Sequence, residues 1–161
     1  MIDWHDIINW IPTIISFIGS LLSFRYTRKC KLYYQNKDIT EALKYIVELQ
    51  KIKIQLDEKC NQSIQSSKGS NNPKEFYKRM LPLAKQGLEK LIEFQNILTS
   101  KLLKYNSVSI DDCKHFLNSI VMGELTDDNE YINKCEKLDE SLSNIQKALK
   151  IEKEMLDNKI I

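Results

Sequence analysis

Residues 7–24 of this chain, IINWIPTIISFIGSLLSF, carry no charged side chain, and Arg25, Arg28, Lys29 and Lys31 come directly after them. At roughly 1.5 Å per residue a helix of that length covers about 27 Å, close to the hydrocarbon core of a bilayer. The expectation is a single transmembrane helix. Its polar residues are few but ordered: Asp6, Asn9, Thr13, Ser16, Ser20, Ser23 and Thr27 succeed one another at steps of 3, 4, 3, 4, 3 and 4. Such steps place them on one seam of a supercoiling helix, with Ile14, Ile15, Ile18, Leu21 and Leu22 elsewhere on the wheel. A lone helix in lipid has no use for a polar seam, so the pattern implies several copies packed around a shared axis.

The order of charges sets a direction. Asp3 and Asp6 precede the run and four cations come after it within seven residues. A cleaved signal peptide has the opposite arrangement, and an interfacial helix normally carries Lys and Arg on its polar face. The positive-inside rule puts the N-terminus outside and the rest of the chain in the cytoplasm, the expected site being the inner or plasma membrane.

The remainder reads as all-α. Four glycines and three prolines occur in 161 residues, and the part beyond the anchor is long enough for one domain with a single core. The chain divides into a tail and transmembrane helix (1–24), a basic juxtamembrane neck with Tyr26, Tyr33 and Tyr34 (25–38), and a helical bundle (39–161). The anchor could run on into the first bundle helix or break near Asn36 and Asp38. That first helix is expected over 39–65, with Ile39, Leu43, Ile46, Leu49, Ile52, Leu56 and Cys60 as its buried stripe. After a loop at 66–72, Asn72, Pro73 and Glu75 make a good helix start. This second helix is expected to reach about residue 105 along Phe76, Met80, Leu83, Leu91, Phe94, Leu98 and Tyr105, with a kink near Pro82. A short helix after Ser109 carries Phe116, Leu117, Ile120 and Val121 and ends near Gly123. A last long helix, capped by Thr126 or Asp127, carries Tyr131, Cys135, Leu138, Leu142, Ile145, Leu149 and Leu156. Three long helices and a short one fit an intramolecular bundle or a coiled-coil oligomer equally well.

Catalytic and metal chemistry find no support. Cys30, Cys60, Cys113 and Cys135 form no Cys-x-x-Cys pair, and Cys113 with His115 beside Asp111 and Asp112 supplies no second ligand pair for zinc. Ser109, Asp111 and His115 lie too close on one short helix for a nucleophile and base to face each other. The sequence has no Gly-rich phosphate loop, and Asp127, Asp128 and Glu130 lack the glycine and spacing of a calcium loop. The expectation is a protein that is not an enzyme and takes no cofactor or metal.

Charge is segregated. Residues 25–107 hold 17 Lys/Arg against 8 Asp/Glu, a net of +9, while residues 108–161 hold 7 against 12, a net of −5. Within the basic part, Lys74, Lys78 and Lys85 share a helix face at steps of 4 and 7 with Arg79 close by, a face that is either simply solvated or, repeated in every copy of an oligomer, suited to a polyanion such as single-stranded DNA or a nucleotide messenger. The seam also has two readings. Ser16 and Ser20, or Gly19 and Ser23, are small residues that let helices approach in a dry interface. Alternatively Asn9, Thr13, Ser16, Ser20 and Ser23 line a water-filled pore, with Phe17 and Phe24, seven apart on one edge of the seam, as rings that block ions by dewetting.

A short N-terminal membrane helix bearing Phe17 and Phe24, a basic neck and a small helical domain without catalytic residues resembles the membrane effectors of nucleotide-signalling anti-phage defence. It is most similar in outline to the transmembrane effector of the Hailong system, and the ring-nucleotide-gated effectors of type III CRISPR systems share that outline. The resemblance implies a homo-oligomeric, tetrameric ion channel gated by phenylalanines, held shut by a DNA oligomer on its cytoplasmic part and causing abortive infection when released. A passive anchor or scaffold whose bundle docks a partner protein is the other expectation.

Overall fold

The computed structural model describes residues 4–66, 73–98, 100–125 and 128–160. They form four helices, α1 (Trp4–Ser66), α2 (Pro73–Ile97), α3 (Ser100–Val121) and α4 (Asp128–Ile160), with no strand among the described residues. α1 packs on α2 and α4, and α3 packs on the same two, so the helices close a ring in which each touches its neighbours in sequence and α4 returns to α1. The contacts fix an antiparallel order. Asn36 reaches Asp157, Lys53 reaches Asp139 and Asp57 reaches Tyr131, so α4 descends as α1 rises. On the other flank Lys90 of α2 sits opposite Glu48, and Tyr77 donates from the start of α2 to the Val121 carbonyl at the end of α3.

The apolar stripes account for this arrangement. On α1 the buried residues Ile39, Ala42, Ile46, Leu49, Ile52, Leu56 and Cys60 recur at steps of 3 and 4, and on α4 Tyr131, Cys135, Leu138, Leu142, Ile145 and Leu149 do the same, with Leu156 two turns further on. That repeat keeps each stripe facing inward along near-parallel helices. Met80, Leu91 and Phe94 from α2 and Ile110, Cys113, Phe116, Leu117 and Ile120 from α3 complete the core. α3 ends where Gly123 adopts φ 72°. The Glu124 amide donates to the Ser119 carbonyl at 2.9 Å and the Gly123 amide to that of Ile120 at 3.1 Å. This closure needs a left-handed residue, and glycine adopts it without a Cβ penalty. Thr126 and Asp127, the expected caps of α4, lie outside the described residues.

Three features differ from the sequence expectation or resolve it. The second helix does not extend to residue 105: α2 stops at Ile97 and a new helix begins at Ser100. Leu98 continues the stripe across this turn and is buried in it, which is why periodicity alone joined the two helices. The third helix is consequently not short, since its 22 residues nearly match the 25 of α2. Pro82, where a kink is expected, falls inside α2 on its exposed side, where water can meet the carbonyl that the missing amide leaves unpaired. Finally, Asn36 and Asp38 do not break α1, which is one helix of 63 residues.

Candidate functional site: the projecting half of α1

α1 has two environments. From Leu32 onward it packs into the bundle, with Ile39 its first fully buried side chain. Before that, every described side chain from Trp10 to Lys29 is exposed, Ile14, Ile15, Ile18, Leu21 and Leu22 included. Phe17 and Phe24 are 67% and 68% exposed. Alanine's Cβ, placed at Gly19, would meet nothing within 4 Å. The helix therefore projects from the bundle with a bare apolar surface, of a kind that soluble monomers seldom leave uncovered.

Along this arm Thr13, Ser16, Ser20 and Ser23 are exposed, like every other described side chain there, while the side chain of Asn9 lies outside the described residues. The Ser20 hydroxyl donates to the Ser16 carbonyl and the Thr27 hydroxyl to that of Ser23, both at 2.9 Å. Each hydroxyl thus uses its own helix for its donor and keeps lone pairs for whatever faces it. No helix among the described residues is long and apolar enough to cross a membrane. The eighteen-residue run starts at residue 7, and the side chains of Ile7, Ile8 and Ile11, among its most apolar, lie outside the described residues. Just below the run, Arg25, Arg28, Lys29 and Lys31 are exposed, and Tyr33 and Tyr34 meet edge to face with centroids 6.1 Å apart.

The basic face of α2 lies elsewhere. Lys78 and Lys85 are exposed and Arg79, half-buried, donates through Nε to the Glu75 carbonyl at 3.2 Å; the side chain of Lys74 lies outside the described residues. Because α2 starts beside the end of α3, Lys78 and Arg79 sit at the end of the bundle remote from the arm, and Lys85 about midway.

The third polar feature is one that periodicity misses. Lys53 and Asp57 of α1 meet Tyr131, Cys135 and Asp139 of α4. Lys53 bridges Asp57 at 2.7 Å and also Asp139, and Asp57 accepts the Tyr131 hydroxyl at 2.7 Å and the Cys135 thiol at 3.2 Å. Burial lowers the Lys53 pKa, but its bonds to Asp139 and Asp57 outweigh that and raise it above the ordinary lysine range. Burial and then the bond to Asp57 raise the Tyr131 hydroxyl, and the same causes push the Cys135 thiol up to about 11. These are groups held in their ordinary protonated forms, so the cluster ties α1 to α4 rather than offering a base or nucleophile. The spacing of Lys53 and Asp57, four apart beside the stripe, was the available signal.

Around α3, Cys113 is buried and its thiol is pushed up to about 12 by burial, while His115 and Asp111 face solvent near Lys134 and Lys137, and Asp112 pairs with Lys137 at 3.0 Å. Among the described residues no three His, Cys, Asp or Glu side chains gather as metal ligands would. Compared with protein-family models, curated proteins and solved structures, the chain matches none.

Proposed function

We propose that this chain is a membrane protein in which the projecting arms of several copies insert together and form a gated ion pore, while the four-helix bundle, in the cytoplasm, senses a polyanionic ligand. The observation that carries the proposal is the bare apolar arm from Trp10 to Phe24 on a helix continuous with the bundle's own core helix. Apolar surface of that extent needs lipid or other copies to cover it, and the polar seam needs other copies. Because α1 is one helix and its proline, Pro12, lies before Phe17 and Phe24, a tilt or rotation of the bundle is transmitted directly to those two residues. Rotation about the helix axis carries Phe17 and Phe24 toward or away from the shared axis, which is how a ring of phenyl groups would close or open a water column. A ligand shifts that equilibrium only by binding one state more tightly than the other; Lys74, Lys78, Arg79 and Lys85 are the proposed contacts for an oligonucleotide or nucleotide. Uncontrolled opening would depolarise the membrane, as the resemblance to defence effectors implies.

One observation favours a second reading. Ser20 and Thr27 satisfy their hydroxyl donors within α1, so the seam can be dry, and the arm would then be an anchor for a bundle that docks a partner. Ion flux across vesicles separates the two. The pore requires flux that rises in Phe17→Ala and Phe24→Ala; silence in the parent and both variants leaves the anchor. For the ligand, Lys74→Glu, Lys78→Glu and Lys85→Glu together should abolish retention of a single-stranded oligonucleotide, and binding that persists removes this face from the account.

A further inference from the structure

Below the apolar run the neck of α1 has two sides. Arg25, Arg28, Lys29 and Lys31 are exposed, and no acidic residue occurs between Asp6 and Asp38. On a helix of about 3.6 residues per turn these four cations spread over an arc of about 160°, while Thr27, Cys30 and Tyr34, which continue the polar seam, fall in the opposite half together with Tyr26 and Tyr33. Ile39, Ala42 and Ile46, the first side chains that α1 buries in the bundle, project into the same arc as the cations. The cations therefore stand above the bundle, on its side of α1, and the seam lies on the other.

The space at these cations is bounded at both ends. From Phe24 to Leu32, where packing on the core begins, the helix rises about 12 Å. Asn36 meets Asp157, so the last turn of α4, with Lys159 exposed in it, ends level with the foot of the neck and closes the space from below. Helical side chains lean toward the N-terminus of their helix, which here points the long Arg and Lys chains back toward the apolar run. None of the four charged groups makes an ion pair or hydrogen bond with a described residue.

We infer that this space is a binding site for the headgroups of anionic phospholipids, with their phosphates held by Arg25, Arg28, Lys29 and Lys31. The inference rests on the proposed insertion of the arm and names the lipid that surrounds it. The headgroup layer of a bilayer is about 5–8 Å deep, so an arm inserted as far as Phe24 brings that layer into the space above the bundle. The guanidinium groups of Arg25 and Arg28 are planar forks able to hold two phosphate oxygens at once. Tyr26, 73% exposed one residue further on, suits the same layer, since tyrosine collects at membrane–water interfaces. A nucleic acid would have to enter between the bundle and the bilayer to reach these cations, whereas lipid phosphates are already there. Arg25 follows Phe24 directly, so a phosphate held at Arg25 also sets the depth of that ring.

Full-length protein tests this in two steps. Flotation with vesicles of phosphatidylcholine alone, washed at high salt, reads insertion of the arm. Native mass spectrometry in a neutral detergent, with short-chain phosphatidylglycerol or phosphatidylcholine added at equal concentration, reads the lipid retained. The protein should float, and should retain phosphatidylglycerol roughly tenfold more strongly than phosphatidylcholine. Arg25→Gln, Arg28→Gln, Lys29→Gln and Lys31→Gln together should abolish that preference. Lys59→Gln, Lys114→Gln, Lys147→Gln and Lys150→Gln together remove the same charge from exposed positions of the bundle and should keep it, with circular dichroism showing both variants folded. Failure to float overturns the inserted arm and the lipid site with it. Flotation without a lipid preference, or with one that the neck variant keeps or the bundle variant also loses, overturns the lipid site alone. A neck variant that keeps the lipid preference but no longer retains a single-stranded oligonucleotide overturns it too, and makes the neck a nucleic-acid contact.

Discussion

The two halves of α1 are inverse images. Between Ile39 and Cys60 an apolar stripe runs through polar surroundings, and between Thr13 and Thr27 a polar stripe runs through apolar ones, at the same spacing. What marks an interface in each half is the stripe that contrasts with its background. In the bundle the contrast is resolved within one chain, by α2 and α4; in the arm no described residue covers it. One helix thus carries both kinds of stripe without a break between them.

The largest effect should come from the covered half and its partners. Phe94 is fully buried between α2 and the core, and Phe94→Ala should lower bundle stability by about 3–5 kcal/mol through lost burial and the cavity left behind. Leu22→Ala removes a comparable apolar group from the arm, where it is 60% exposed, and should leave the unfolding of the bundle in detergent unchanged. Denaturant titration monitored by circular dichroism reads both. A similar loss from Leu22→Ala would mean that the arm folds back on the bundle and would end the comparison.

Next in size is the link between α1 and α4. Asp57→Ala leaves the buried Tyr131 hydroxyl without its acceptor and Lys53 with one carboxylate instead of two, a loss of about 1–3 kcal/mol. Asp57→Asn, which keeps an acceptor, should recover part of it.

That cluster and the buried Cys113 of α3 together give the bundle a pH dependence. Cys113, Cys135, Tyr131 and Lys53 all have pKa values raised above their ordinary ones, the first two to about 12 and about 11 from 9.0. The unfolded chain therefore releases these protons at lower pH than the folded one and binds fewer of them above pH 9. Stability is full below that point and falls as pH rises through it. Unfolding midpoints measured between pH 7.5 and 11 should decline from about pH 9 upward, and less steeply in Cys113→Ala. A flat profile would show that these groups keep access to water in the folded protein.

The stripes of α1 and α4 were readable because apolar residues recur there at steps of 3 and 4, although α1 buries Ala42 where Leu43 was expected and leaves Leu43 half-buried, and the end of α3 was readable because only Gly123 offers a left-handed turn there. The α2–α3 turn was not readable: Leu98 keeps the periodicity, and the only local signal is Thr99 and Ser100, side chains that cap helices but also sit within them. What decides the turn is the length that α3 needs to return along α2, a tertiary requirement. In the candidate site, the seam and Phe17 and Phe24 were legible as a pattern, whereas the network around Asp57 was not, since its members come from positions 53–57 and 131–139 and meet only when the bundle closes.

The smallest effect concerns two helical glycines. A Cβ at Gly87 would stand 3.1 and 3.2 Å from the two terminal methyls of Leu117 and 3.6 Å from Ile52. Leu117 is buried and has little room to yield, so overpacking of about 1–3 kcal/mol opposes a gain in helix propensity of about 1 kcal/mol. Gly87→Ala should therefore destabilise the bundle by about 1 kcal/mol. Gly19→Ala meets open space in the single chain and should not move bundle unfolding at all. Its effect belongs to assembly: if the arms approach closely through Gly19 and Ser23, the added methyl weakens association, and native mass spectrometry in detergent will show fewer oligomers. If association is unchanged, the arms do not close on Gly19, and the dry seam loses its tightest point of contact to the wider, water-filled arrangement.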